Sequence, residues 1–136
     1  MRILLISAAN DAGSVVPLPL GLACVAAATE RARHHVRLLA LGLDADCEND
    51  VRKAIKQFAP DVIGVSVRNI DDQNMQSPHF LLGSLKQVVA VCRAASSSRI
   101  VLGGAGYSIF PESVLAYLGA DIGIRGEGES AFPALL

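Results

Sequence analysis

The sequence contains no tryptophan, and phenylalanine and tyrosine together make up only 4% of its residues. That leaves little from which to build a platform for stacking a flavin or a nucleobase. Charge of neither sign dominates: twelve Lys and Arg stand against thirteen Asp and Glu, with a formal net charge of −1 and no run of like charges. A phosphate backbone is held by clustered cations, so a nucleic-acid partner is not expected. No apolar run approaches the roughly 20 residues that a bilayer-crossing helix needs, so no membrane partner is expected either. The opening MRILLIS is too short for the apolar region of a signal peptide and is followed at once by polar residues. Cys24, Cys47 and Cys92 lie far apart and form no C-x-x-C or other metal-ligand spacing. They read as reduced thiols of a cytoplasmic protein, two of them on apolar helix faces. Gly-Lys-Ser/Thr is absent, which removes the P-loop.

What is present is aliphatic. Hydrophobic residues make up 51% of the 136 positions, as expected of a parallel sheet covered on both faces. A chain of this length is one domain, able to bury roughly two-thirds of its unfolded surface. Five short aliphatic runs predict strands: Ile3–Ser7, Val36–Ala40, Asp61–Val67, Arg99–Gly103 and Asp121–Ile124. Helical periodicity predicts helices over Leu18–Ala32, Asn49–Phe58, His79–Ala95 and Pro111–Leu118, with a further helix starting near Glu129. Pro60 closes the second helix before the third strand, and Pro78 and Pro111 stand where helices would begin. Strand–helix alternation at this spacing implies right-handed βαβ units. The expected fold is an α/β, flavodoxin-like or Rossmann-like three-layer αβα sandwich. Its five-stranded parallel sheet should run in the order 2-1-3-4-5, because the first and third strands are the most continuously apolar.

The connections differ by the edge they leave. Those after the first and third strands, 8–17 and 68–78, are about ten residues each, whereas those entering the second, third and fourth strands are tight. Long loops at strand C-termini mark the edge where open α/β sheets bind ligands. Three segments converge there: Ser66-Val67-Arg68-Asn69, Gly103-Gly104-Ala105-Gly106-Tyr107-Ser108 and Gly126-Glu127-Gly128-Glu129. Glycine allows close approach of a ligand or of another backbone.

Two common uses of this architecture do not fit. Gly104-x-Gly106 follows the fourth strand, not the first, and Ile109 replaces the last glycine of the dinucleotide fingerprint. A phosphoacceptor receiver would need an aspartate at the end of the third strand and a lysine after the fifth, where Ser66-Val67 and Arg125 stand. Asp71 and Asp72 could form an acid/base or metal pair, but they read more simply as a solvated turn. Glu127 and Glu129 read as charges at a helix N-terminus.

The ordered set of motifs resembles the B12-binding domain of cobalamin-dependent radical S-adenosylmethionine enzymes. The resemblance is carried by Pro17-Leu18-Pro19-Leu20-Gly21-Leu22-Ala23, Asp61-Val62-Ile63-Gly64-Val65-Ser66, Val101-Leu102-Gly103-Gly104-Ala105-Gly106 and Asp121-Ile122-Gly123-Ile124-Arg125-Gly126-Glu127-Gly128-Glu129. It implies cobalamin as cofactor, with the corrin on the C-terminal sheet edge and the nucleotide tail running down beside the fourth and fifth strands. The cofactor-binding positions it implies are Asn10, Leu20 and Gly21 near the first loop, and Ser66, Val67, Arg68 and Asn69 after the third strand. Gly103, Gly104, Ala105 and Gly106 follow the fourth strand, and Gly126, Glu127 and Gly128 follow the fifth.

B12 domains of the methionine synthase kind carry D-x-H-x-x-G after the first strand, with the histidine on cobalt. Here that loop has no histidine, and His34, His35 and His79 lie in no such motif. The resemblance therefore implies a corrinoid held without a lower imidazole, as in the radical branch. The cluster motif C-x-x-x-C-x-x-C is also absent. The chain is thus expected to be a single domain, 1–136, of a longer protein whose following radical S-adenosylmethionine domain is its partner. That domain would hold the [4Fe–4S] cluster and S-adenosylmethionine. No residue here is expected to be catalytic or to ligate a metal. The parent is expected to be a methyltransferase of the anaerobic cytoplasm, in which cobalt carries a methyl group from S-adenosylmethionine to a substrate radical. The rival expectations are a regulatory module that has lost cobalamin, and a flavin- or nucleotide-binding flavodoxin-like domain.

Overall fold

A computed structural model describes residues 1–8, 18–42, 46–71, 75–77 and 80–136. The strands are β1 Arg2–Ser7, β2 His35–Ala40, β3 Val62–Ser66, β4 Arg99–Gly103 and β5 Ile122–Gly123. The helices are α1 Leu20–Arg31, α2 Cys47–Phe58, α3 Leu82–Ala95, α4 Ala105–Ile109, α5 Pro111–Leu118 and α6 Gly128–Leu135. All strand pairs are parallel and the order is β2-β1-β3-β4-β5, the flavodoxin-like arrangement expected from the sequence. The β5 ladder continues past its two strand residues, since Asp121 N–H donates to Ile100 O at 3.0 Å and Ile124 N–H to Leu102 O at 2.8 Å.

Period-two alternation sends Leu4, Ile6, Ile63, Val65, Ile100 and Leu102 to one face of the sheet, where α2, α3 and α5 bury them. Ile3, Leu5, Val62 and Val101 go to the other face, beneath α1 and α6, where Phe132 joins them. Helix α2 ends before Pro60 as expected but starts at Cys47, two residues before the expected Asn49, and its caps show why. The Asp46 carboxylate accepts from Asn49 N–H at 3.2 Å, and Ala59 turns left-handed, its N–H donating to Ile55 O before Pro60.

Three expectations change. Helix α3 is assigned from Leu82; Pro78 and His79, where it was expected to start, lie outside the described residues, as do Asn10 and Asp72. The five-residue α4 was not expected at all. Of the cysteines, all free, Cys92 is buried within α3 and Cys47 half-buried, while Cys24 faces outward from α1. Burial pushes the Cys92 thiol up to about 12, the value of an inert core thiol.

Candidate cofactor site

A cavity of about 550 Å³ lies on the α1/α6 side of the sheet and opens at the C-terminal edge. Register explains its wall. Ser7, Ser66 and Gly103 are aligned across β1, β3 and β4, and two residues below them Leu5, Gly64 and Val101 are aligned in the same way. Both rungs point to the same face because strand side chains alternate. Gly64 has no side chain at the centre of the lower rung, and Leu5 and Phe132 pack over it. An added Cβ there would stand 2.6 Å from Leu5 Cδ2 and 3.5 Å from Phe132 Cζ.

The glycine segments form the rim. Gly104 leaves β4 at φ +104°, and an added Cβ would lie 2.6 Å from the Val67 carbonyl oxygen, a backbone atom with no freedom to yield. Gly106 N–H donates to both Val67 O and Arg68 O at 3.0 Å, which ties the post-β3 loop to α4. Ser108 joins the other two segments: its hydroxyl donates to Gly104 O at 3.0 Å and accepts from Gly126 N–H at 3.1 Å. Below them the Tyr107 ring lies buried over Gly123, where a Cβ would overlap it. Burial raises the Tyr107 phenol above its ordinary value, with Glu112 adding to the effect, so the ring stays neutral.

Of the positions named from the sequence, Leu20, Gly21, Ser66, Arg68, Gly103 and Gly104 line the cavity, together with Ala105, Gly126 and Gly128. Val67 does not. Its side chain is buried in the opposite core, and its backbone serves the rim, accepting from Gly106 and donating to Gly103 O at 2.7 Å. Gly106 is likewise a buried strut, and Asn69 and Glu127 stand exposed outside the lining. Sequence reasoning missed the lower rung, Val25 on α1 and Phe132 on α6, and named Ser108 of α4 within the glycine segment without giving it a cofactor role. A lone glycine inside an aliphatic strand was the available sign for Gly64.

The charged groups lining the cavity among the described residues are Arg68 and Glu129, both at its mouth. Glu129 sits in the first turn of α6, which accounts for its sign. His34 and His35 lie at the far sheet edge, where His34 Nδ1 is 3.4 Å from the chain's amino terminus. Among the described residues no three His, Cys, Asp or Glu side chains gather as a metal site. No helix there is long and apolar enough to cross a membrane.

Fold and cavity together define an α/β domain with a cavity at the C-terminal edge of its sheet and along one sheet face. A family model for the B12 binding domain matches residues 6–136, and the chain belongs to that family. It is 27% identical to tryptophan 2-C-methyltransferase from Streptomyces laurentii, over 85% of this chain and 19% of that protein. It is 30% identical to cytidylyl-2-hydroxyethylphosphonate methyltransferase from Streptomyces wedmorensis, over 84% of this chain and 23% of that one. The solved structure of the radical S-adenosylmethionine methyltransferase TsrM from Kitasatospora setae, with cobalamin and a [4Fe–4S] cluster bound, superposes with a TM-score of 0.89 at 25% identity. The superposition covers 98% of this chain and 24% of that one. The chain thus spans about a fifth to a quarter of the length of these relatives.

Cobalamin is the cofactor of this domain family, and the residues present fit it. The cavity is lined with hydrocarbon at depth, by Leu5, Val25, Val101 and Phe132, and Gly103, Gly104, Gly126 and Gly128 bring backbone to its wall. Its polar and charged groups are confined to the mouth, where a corrin's amide fringe needs partners.

Proposed function

We propose that this chain is the cobalamin-holding domain of a cobalamin-dependent radical S-adenosylmethionine methyltransferase, residues 1–136 forming one domain of a longer cytoplasmic protein. A separate domain would carry the iron–sulfur cluster and S-adenosylmethionine. The observation that carries the reading is the cavity, whose lining runs from the glycine rim at the C-terminal sheet edge to Leu5, Gly64, Val101 and Phe132 on the α1/α6 face. The family match and the full-length superposition on a cobalamin-bound relative support it.

Cobalamin, when bound, supplies a cobalt centre able to take up and release a methyl group. The chain's own residues bind and shield. Gly103, Gly104 and Ala105 offer backbone to a ligand at close range, and Ser66 and Arg68 provide hydrogen-bond donors around the mouth. Leu18, Leu20 and Leu22 line the cavity from α1 and its approach, and the exposed Leu18 and Leu20 offer apolar surface for a corrin to cover. The nucleotide tail is placed in the slot beside β4 and β5. We further propose that no protein imidazole reaches cobalt, since His34 and His35 lie at the wrong edge and the β1–α1 connection contains no histidine.

A titration of the purified chain with hydroxocobalamin, followed by its visible spectrum, tests this. We expect binding tighter than about 50 µM, a free energy of about −6 kcal/mol, with a spectrum free of imidazole ligation and unchanged in His79→Ala. No binding at that concentration by a chain whose circular dichroism shows it folded would overturn the assignment. Yellow protein carrying flavin as purified would replace it.

A further inference from the structure

We propose that Ser108 is a positioning residue for the cofactor: its hydroxyl pins the two glycine segments of the rim to one another, and cobalamin affinity depends on that pin more than the stability of the free fold does. This rests on the reading that cobalamin sits against the rim.

The two halves of the rim arrive on different elements. Gly103, Gly104 and Ala105 end β4 and open α4, whereas Gly126, Gly128 and Glu129 follow β5 and open α6. Strand β5 has two residues, and its ladder to β4 ends where Ile124 N–H donates to Leu102 O. Two residues further on, Gly126 stands at φ +87° with nothing within 4 Å of where a Cβ would be, so no atom packs on it from that side. What reaches it is Ser108 Oγ, which accepts from Gly126 N–H at 3.1 Å. Helix α6 starts two residues later. The same bond therefore fixes the approach of the helix that brings Glu129 and Phe132 to the cavity.

The hydroxyl is oriented for this. It has one proton to give, and that proton goes to Gly104 O, four residues back, at 3.0 Å. A lone pair is thereby turned toward Gly126 N–H. The buried Tyr107 ring fills the place where a Gly123 side chain would stand and seats α4 against β5. Ser108 has no proton left for a ligand, so its effect on binding runs through Gly104 and Gly126.

Water decides where that effect shows. The Ser108–Gly126 bond is exposed in the free chain, so in Ser108→Ala a water molecule takes the Gly126 N–H and little stability is lost. A corrinoid covering the rim removes that water. The N–H then stays unpaired, or the segment shifts away from the position the ligand meets.

The test is an equilibrium titration of Ser108→Ala, Ser108→Thr and Ser108→Val with hydroxocobalamin beside wild type, with urea unfolding of each free chain. Ser108→Ala should weaken binding about tenfold, while its urea midpoint moves by no more than about 0.5 M. Threonine and valine have nearly one shape and differ in the hydroxyl. Ser108→Thr should therefore bind within about threefold of wild type, and Ser108→Val at least about tenfold more weakly. Hydrogen exchange of the Gly126 amide needs no variant: in wild type it should slow at least about tenfold on adding cobalamin. Unchanged affinity in Ser108→Ala, equal affinity of the threonine and valine variants, or a Gly126 amide indifferent to cobalamin overturns the proposal and leaves the cobalamin assignment intact. So does a urea midpoint lowered by more than about 1 M in Ser108→Ala, which would assign the serine to the fold. If wild type itself does not bind hydroxocobalamin, the cobalamin assignment falls and this inference with it.

Discussion

At Gly104 the backbone passes from β4 into α4 with φ +104° and ψ 172°, a combination that residues with a Cβ almost never adopt. The same residue gives its carbonyl to the Ser108 hydroxyl and to Ser108 N–H, and its missing Cβ leaves room for the Val67 carbonyl. Strain and overlap therefore coincide at one atom. Gly104→Ala should lower stability by about 3 kcal/mol and weaken cobalamin binding, because the loop that must move carries the rim. Gly126, also at positive φ (+87°), is the control: a Cβ there meets nothing within 4 Å. Gly126→Ala should bring only the backbone strain, about 1 kcal/mol. Urea unfolding of both variants, with matched cobalamin titrations, checks the pair; equal losses would show that the Val67 overlap relaxes freely.

The elements meet around Asp121, just before β5. Its carboxylate accepts from Arg93 of α3 in an ion pair at 2.6 Å and from Ile100 N–H of β4 at 2.7 Å, so one side chain joins helix, strand and edge strand. The Arg93 hydrogen bond, with help from Ile100 N–H, holds its carboxyl below the ordinary aspartate value of 3.8 against the opposing effect of burial. A depressed folded-state value means the contribution is fully present above the unfolded value and is lost as pH falls through the folded one. Asp121→Asn should therefore cost about 1 kcal/mol at pH 7, the pair being partly screened by solvent. The difference from wild type should shrink as pH drops below 3.8. Thermal melts at pH 7 and pH 3 measure it, and a deficit independent of pH would assign the effect to packing. At this scale the sequence was legible wherever one physical signal dominated. Aliphatic runs marked all five strands, and Pro60 marked the end of α2, whereas its start at Cys47 behind Asp46 was missed by two residues. It was illegible at α4, where Ala105-Gly106-Tyr107-Ser108-Ile109 holds too few residues for a period and begins among glycines. The glycine rim could be read because glycine at a strand end has a steric reason. The contributions of α1 and α6 could not, because the apolar LGLACVAAATER looks like ordinary core whether its inner face meets the sheet or an open slot.

The two faces of the sheet are packed unequally, and the whole molecule inherits that asymmetry. Among the described residues twenty buried side chains form the core beneath α2, α3 and α5, whereas five form the one beneath α1 and α6, where the cavity takes the remaining space. Helices that cover a cavity have fewer apolar contacts to hold them, so local opening should be easiest at α1 and α6. A ligand filling the slot adds contacts to that face alone. Binding to the folded state contributes about 2.7 kcal/mol at a free concentration one hundred times the dissociation constant, which for a chain of this size raises Tm by about 10 °C. Hydrogen exchange should reveal where that gain falls. Amides of α1 (Leu20–Arg31) and α6 (Gly128–Leu135) should exchange fast in the free chain and slow on adding cobalamin. Those of α2 and α3 should be slow in both states up to the limit set by global unfolding. Uniform protection across both faces would mean that the ligand stabilises the fold as a whole without closing this side. Protection confined to the loops after β3 and β4 would place the cofactor on the sheet edge and leave the slot empty.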